Sequence, residues 1–213
     1  LFTRYTMTAA KISIIPEFLE KIELLELQDY FDITQDAIVN KLTGSEIIFK
    51  GIKTSSGDQT AALKSLQGIT TWVLDEAEEL TDETIFDKID LSVRQKGIQN
   101  RVMLIMNPTT KAHWIYRRFF EEAGVQEGSN LTKQDTTYIH TTYLDNKENL
   151  DDSFINQVER IQKTKPEKYK HQILGGWLNK AEGTIFDNWE LGKFPNENVV
   201  YGMDFGFSID PTT

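Results

Sequence analysis

The spacing of apolar positions changes along this chain, and the changes divide it into elements. The opening LFTRYTMTAAKISIIPEFLEKIELLELQDYF starts as a short strand and becomes a helix; Pro16 suits the first turn, and Leu19, Ile22 and Leu25 form an apolar stripe at helical spacing. FDITQDAIVN and SEIIFKGI read as two β segments around the turn signal Thr43-Gly44, which predicts a hairpin. TSSGDQTAALKSLQGI reads as a polar loop and a short helix.

Two later segments are apolar nearly throughout. TTWVLDE and RVMLIMNP both stop at polar residues, the pattern of parallel strands covered on both faces. Between them LTDETIFDKIDLSVRQK has helical periodicity, and KAHWIYRRFFEEAG predicts a helix ending at Gly124. Strand, helix, strand, helix predicts an α/β fold, a mostly parallel sheet flanked by helices. A further β segment, TTYIHTTYLDN, precedes two helical stretches, DDSFINQVERIQKTK and PEKYKHQILGGWL. LNKAEGTIFDNWELGKFPNEN reads as a connector, and VVYGMDFGFSIDPTT as the first strand of a second domain.

Composition narrows the class. The 213 residues carry 39% hydrophobic residues, enough for a substantial core, and a formal net charge of -10. That charge argues against passive coating of DNA but not against acting on it through local basic stretches. The absence of cysteine excludes disulfides and thiolate metal sites and fits a reducing compartment. His113, His140 and His171 lie far apart, without the spacing of a helical metal site, and read as ordinary surface or core residues. Neither an apolar run near 18 residues nor a secretory leader is evident, so a soluble intracellular protein is expected.

The candidate chemistry lies where the apolar strand TTWVLDE meets its acids. In open α/β sheets ligands bind beyond the carboxyl ends of the strands, so Asp75 and Glu76 would stand where a metal-bound phosphate is met. In P-loop NTPases the Asp of such a pair holds Mg2+, and a neighbouring acid can orient and deprotonate the attacking water. The plainer reading, that strands often end in solvated acids, suits the downstream residues from Glu78 to Asp90, which charge the next helix at its N-terminal part. Met106-Asn107-Pro108 ends the second strand and puts a side-chain amide beside the same region.

Taken together, LFTRYTMTAAKISIIPEFLEKIE, LTGSEIIFKGIK, LKSLQGITTWVLDEAEEL, MNPTTKAHWIYRRFF, GGWLNKAEGTIFDNW and YGMDFGFSIDPTT resemble the large terminase subunit of tailed double-stranded DNA bacteriophages, along essentially the whole chain. The resemblance implies a P-loop NTPase-like ATPase core over residues 1–145, a lid or linker over 146–198 and the start of an RNase H-like nuclease at 199–213. It implies Asp75 as the Mg2+ ligand, Glu76 as activator of the hydrolytic water, and Asn107 in the motif that couples ATP hydrolysis to motion. Asp204, within Gly202-Met203-Asp204-Phe205-Gly206, would be the first ligand of a two-metal nuclease site using Mg2+ or Mn2+. The implied partners are double-stranded DNA, a portal protein, a small terminase subunit and further copies in a ring on the procapsid, with no membrane, in the cytoplasm of an infected or lysogenic bacterium.

Lys64 and Arg4 are candidates for a cation completing a neighbouring subunit's site, although a solvated surface cation is the preferred reading of both. The run RIQKTKPEKYKH, with Tyr169, and the pair Arg117-Arg118 are candidate DNA-backbone contacts, weighed against solvated charge. One departure from the family is plain: no G-x-x-x-x-G-K-[ST] run occurs, and Gly192-Lys193 lacks its upstream glycine and is followed by Phe194. The expectation is therefore an internal piece, catalytically incompetent alone, of an ATPase and endonuclease. Two alternatives stand beside it: another P-loop DNA motor such as a helicase, and a non-catalytic prophage remnant or assembly fragment binding portal or small-subunit partners.

Overall fold

The computed structural model describes residues 1–54, 57–58, 63 and 67–179. Six of its strands lie side by side in the order β2 (Phe31–Ile33), β3 (Ala37–Asn40), β4 (Glu46–Thr54), β1 (Phe2–Thr6), β6 (Thr71–Asp75) and β7 (Arg101–Ile105), while β5 (Gly57–Asp58) pairs with β4. The pairs β4–β1, β1–β6 and β6–β7 are parallel, and β2–β3 and β3–β4 antiparallel. The expected mostly parallel α/β sheet is present. Its antiparallel margin is the expected hairpin, turned at Gly44 with a φ of 69° and closed by the Gly44 N–H donating to the Asn40 carbonyl at 2.8 Å. FDITQDAIVN itself splits into β2 and β3, because the Thr34 hydroxyl accepts from the Ala37 N–H at 3.0 Å and bends the chain.

Alternation along β1 and β4 separates two apolar clusters, one on each face of the sheet. Phe2, Ile47 and Phe49 pack with α1 (Met7–Ile12) and α2 (Ile14–Leu24) through Ala10, Ile14, Ile15 and Ile22. Tyr5, Ile52, Trp72 and Leu74 join the other cluster, with Ile85, Phe86 and Ile89 of α3 (Glu83–Asp90) and Trp114 and Ile115 of α4 (Trp114–Tyr116, continued as a π-helical turn, Arg117–Glu121). Ile22 belongs to the buried stripe as expected, but Leu25 is exposed because α2 has ended at Leu24.

Two strand expectations change. Trp72 and Leu74 of β6 are almost fully buried, yet β7 leaves Met103 and Ile105 about half exposed, since among the described residues β7 pairs only with β6. Its open flank lines a groove of about 1810 Å³ that Ile139 and Thr142 also line. TTYIHTTYLDN gives only β9 (Thr136–Tyr138), paired with β8 (Leu131–Lys133) in a separate hairpin. Local bonds take over after it: the His140 N–H donates to Asn130 Oδ1 at 2.5 Å, and Thr142 and Asp145 form a reciprocal cap on a 3-10 turn. The helical stretches that follow are α5 (Asp152–Thr164), capped by Asp151, and α6 (Pro166–Lys168), which continues as a π-helical turn over Tyr169–Ile173. The connector beyond Asn179, Lys64, Gly192-Lys193, and the Gly202–Gly206 segment with Asp204 lie outside the described residues.

Candidate functional site

Parallel pairing brings the carboxyl ends of β1, β6 and β7 to one edge of the sheet. The register opposes Thr3 to Leu74 and Asp75 to Ile105, so Arg4 comes level with Asp75, and Asn107 follows two residues beyond Ile105. Three residues remote in sequence thus meet along one line. The sequence singled out Asp75, Glu76 and Asn107 there; Arg4 it read as a surface cation.

Arg4 is instead buried, with 7% of its surface exposed. Its Nη2 forms an ion pair with Glu76 Oε2, its Nε lies 3.8 Å from Asp75 Oδ2, and Glu79 Oε2 is 3.9 Å from Nη2. Nη1 donates to Ser13 Oγ at 2.8 Å, and that hydroxyl donates to the Ala9 carbonyl at 2.9 Å, so the junction of α1 and α2 fixes the guanidinium from behind. Nε itself is buried with no hydrogen-bond partner. One cation faces three carboxylates, which leaves the edge negative and suited to a further cation.

The side chains of Asp75 and Glu76 remain 22% and 41% exposed, open to a ligand rather than occluded. Glu76 has left-handed backbone, φ 49° and ψ 53°, which is uncommon for a residue with a Cβ and clusters at functional sites. This reversal ends β6 and starts the single turn Ala77–Glu79, whose Ala77 is fully buried. Among the described residues no group of three or more His, Asp or Glu side chains could hold a metal through protein ligands alone. A single carboxylate supplemented by phosphate oxygens and waters is how Mg2+ is commonly held, and Asp75 fits that donor set.

Asn107 is tied to the turn after the acids. Its Nδ2 donates to Glu78 Oε1 at 3.4 Å, a long bond, and Glu78 Oε2 is buried without a partner. His113, unremarkable in the sequence, fastens the same turn: Nδ1 accepts from the Ile115 N–H at 3.2 Å, capping α4, and Nε2 lies 3.2 Å from the Glu78 carbonyl oxygen. Both contacts are met by the neutral ring with its proton on Nε2. Burial, opposed by the bond to Glu78, holds the imidazole below its ordinary value of 6.5. No spacing signal could have found it, since it is a lone histidine 35 residues from its partner.

Of the downstream acids, Glu78 and Glu79 turn back to the site rather than to solvent, while Asp82, Glu83 and Asp87 make structural contacts on the next helix. Asp82 caps α3 by accepting from the Thr84 N–H at 2.8 Å, and the Thr84 hydroxyl, then that N–H, holds its carboxyl below the usual range. Glu83 and Asp87 bind Arg118 at 3.2 and 2.6 Å and join α3 to α4. Arg118 is thereby engaged internally, while Arg117 stays more exposed, 3.8 Å from Glu83. In the basic run Tyr169 is buried, its hydroxyl 3.1 Å from that of Tyr143, so its ring is not free to stack on a base. Among the described residues no helix is long and apolar enough to cross a membrane.

Comparison with known proteins places these features in context. The profile of the family described as "Phage terminase large subunit" matches residues 1–176. The "Terminase, large subunit" of Bacillus phage SPP1 is 26% identical over 99% of this chain and 51% of its own length. The "PBSX phage terminase large subunit" of Bacillus subtilis is 28% identical over 77% of this chain and 41% of its own. The chain thus spans about half the length of the curated relatives it matches. Among solved structures, the large terminase of a thermophilic bacteriophage has a TM-score of 0.58 at 18% identity, covering 83% of this chain and 40% of that one. The same protein has been solved in complex with ADP, with a TM-score of 0.56 to this chain. At this identity the likeness establishes the fold.

Proposed function

Because this chain belongs to the phage terminase large subunit family, we propose that it carries the hydrolytic edge of an ATP-driven motor that moves viral double-stranded DNA into a procapsid. The observation that carries this reading is the half-buried Asp75–Glu76 pair at the carboxyl edge, with Glu76 in left-handed backbone and bound by Arg4. An occluded pair would have favoured a non-catalytic remnant.

When bound, Mg2+·ATP supplies the phosphoryl group and the charge neutralisation that its transfer requires. Asp75 holds the metal through one carboxylate, and Glu76 orients the attacking water and accepts its proton. Asn107 and His113 bind the turn that follows Glu76, so a shift of that turn would pull on the segment leading into α4. This is a short mechanical route from hydrolysis to motion.

The rest of the reading draws on the family. A phosphate cradle of the G-x-x-x-x-G-K-[ST] kind, which these 213 residues do not contain, would complete the site. Asp204 is the first metal ligand of a nuclease that cuts the packaged DNA, with Mg2+ or Mn2+ as its cofactor. A portal protein, a small terminase subunit and further copies in a ring are the assembly partners, and the host cytoplasm is the site of action.

The test is ATP hydrolysis by the full-length gene product with DNA, alongside Glu76→Gln and Asp75→Asn. Glu76→Gln should lower kcat by about 10²-fold or more while nucleotide still binds, and Asp75→Asn should raise the Mg2+ concentration needed for activity. Wild-type turnover by Glu76→Gln would overturn the assignment.

A further inference from the structure

Arg4 contributes to the site in a way that the pattern of its acids does not explain. It is the buried cation on which Glu76 converges, it is fixed by Ser13 from the opposite side, and its Nε has no hydrogen-bond partner. The carboxylates it faces come from a five-residue stretch, Asp75 to Glu79, in which like charges would otherwise push the side chains apart. Burying a guanidinium among carboxylates costs desolvation, and a surface position would have avoided it.

We propose that Arg4 is a positioning residue that acts within its own subunit, holding the Glu76 carboxylate at the angle and depth from which it engages water. The inference rests on the hydrolytic reading given above. Its physical basis is the contrast between the two ends of the contact. Glu76 lies on a single-residue reversal at the tip of β6, where its side chain is 41% exposed. Arg4 lies within β1, in register with Gly51 of β4, one residue beyond the Thr3–Leu74 pairing with β6, and held by the α1–α2 junction. The buried, anchored partner therefore defines where the more exposed one stands, and a displacement near 1 Å of a catalytic group costs about 10²-fold in rate. The planar fork of arginine suits this role, since it meets a carboxylate and the Ser13 hydroxyl through different nitrogens; a lysine offers one point of attachment.

The experiment uses the full-length gene product and two variants that keep or nearly keep the buried charge. Arg4→Lys should lower kcat for ATP about 10-fold or more with KM for Mg2+·ATP unchanged, and Ser13→Ala, which leaves Arg4 in place but frees its anchored end, should lower kcat by a smaller factor in the same direction. In thermal unfolding without metal or nucleotide, Arg4→Lys and Glu76→Gln should be non-additive when combined, which reads the contact independently of turnover. An active wild-type protein with unchanged kcat in either variant, or with the loss confined to KM, would overturn the inference. If Arg4→Lys does not fold, Ser13→Ala decides. If the unmodified protein hydrolyses no ATP, the hydrolytic reading fails, while the unfolding cycle still shows whether Arg4 and Glu76 are coupled.

Discussion

His113 holds the Glu78 carbonyl at 3.2 Å from the far side of a 35-residue separation, and the same ring caps α4. The turn after the acids and the start of the next helix are thus pinned to one imidazole. Protonation would remove the Nδ1 lone pair that caps α4, and burial already opposes it. The folded state therefore binds this proton more weakly than the unfolded state does. Above 6.5 both states carry a neutral ring and no stability depends on it; as pH falls through 6.5 the unfolded chain takes up the proton first and stability declines until the lowered folded value is passed. Urea unfolding between about pH 7.5 and 5 should show this decline, and His113→Asn, which can still cap, should flatten it.

Thr3 and Trp72 are both fully buried, and the Trp72 indole N–H donates to Thr3 Oγ1 at 2.8 Å. Thr3→Val keeps the shape but leaves the indole N–H unpaired in the core. We expect a loss of about 1–3 kcal/mol in urea unfolding, whereas the surface substitution Thr132→Val should lie within about 0.5 kcal/mol of wild type.

Gly51 sits where β4 passes the start of α1. A Cβ there would overlap the Met7 amide nitrogen and approach the Thr6 carbonyl carbon to 2.8 Å, both backbone atoms that cannot turn aside. Gly51→Ala should therefore cost at least about 1–3 kcal/mol, read as a lower unfolding midpoint, and should loosen the β1–β4 pairing.

Glu26, just beyond the Leu25 cap of α2, has a φ of 55°. The Leu27 N–H donates to the Ile22 carbonyl at 2.9 Å and the Glu26 N–H to the Glu23 carbonyl at 3.0 Å, the bonding of a Schellman cap without its usual glycine. Glu26→Gly should raise stability by about 1 kcal/mol, since it removes the left-handed penalty and breaks no side-chain contact to the core. A lower midpoint would show that the cap is not the controlling feature.

Periodicity located elements better than it located neighbours. TTWVLDE announced β6 through its apolar run, although only the face of Trp72 and Leu74 is fully buried, and its stop at Asp75-Glu76 marked the candidate site. RVMLIMNP carried the same pattern, yet β7 lies at the margin of the described sheet, because apolar content does not report what stands alongside. Arg4 was misread for a related reason: FTRYT alternates as an ordinary half-exposed strand does, and only the pairing of β1 with β6 brings that arginine to the acids. His113 was illegible because its partner is a backbone carbonyl, which has no sequence signature. TTYIHTTYLDN failed differently, since threonine and asparagine favour strands and local caps alike, and the caps at Asn130 and Thr142 prevailed.

The left-handed backbone at Glu76 also bears on how this protein can mutate. A single base change converts any glutamate codon to a glycine codon, and glycine is the residue that occupies such backbone without steric penalty. Drift toward the relaxed conformation is thus always one step away, and Arg4 would still face Asp75 and Glu79 after it. A lineage that no longer needed the carboxylate would have little to hold it there. On the hydrolytic role proposed above, it is chemistry, against the preference of the chain, that keeps glutamate at this position.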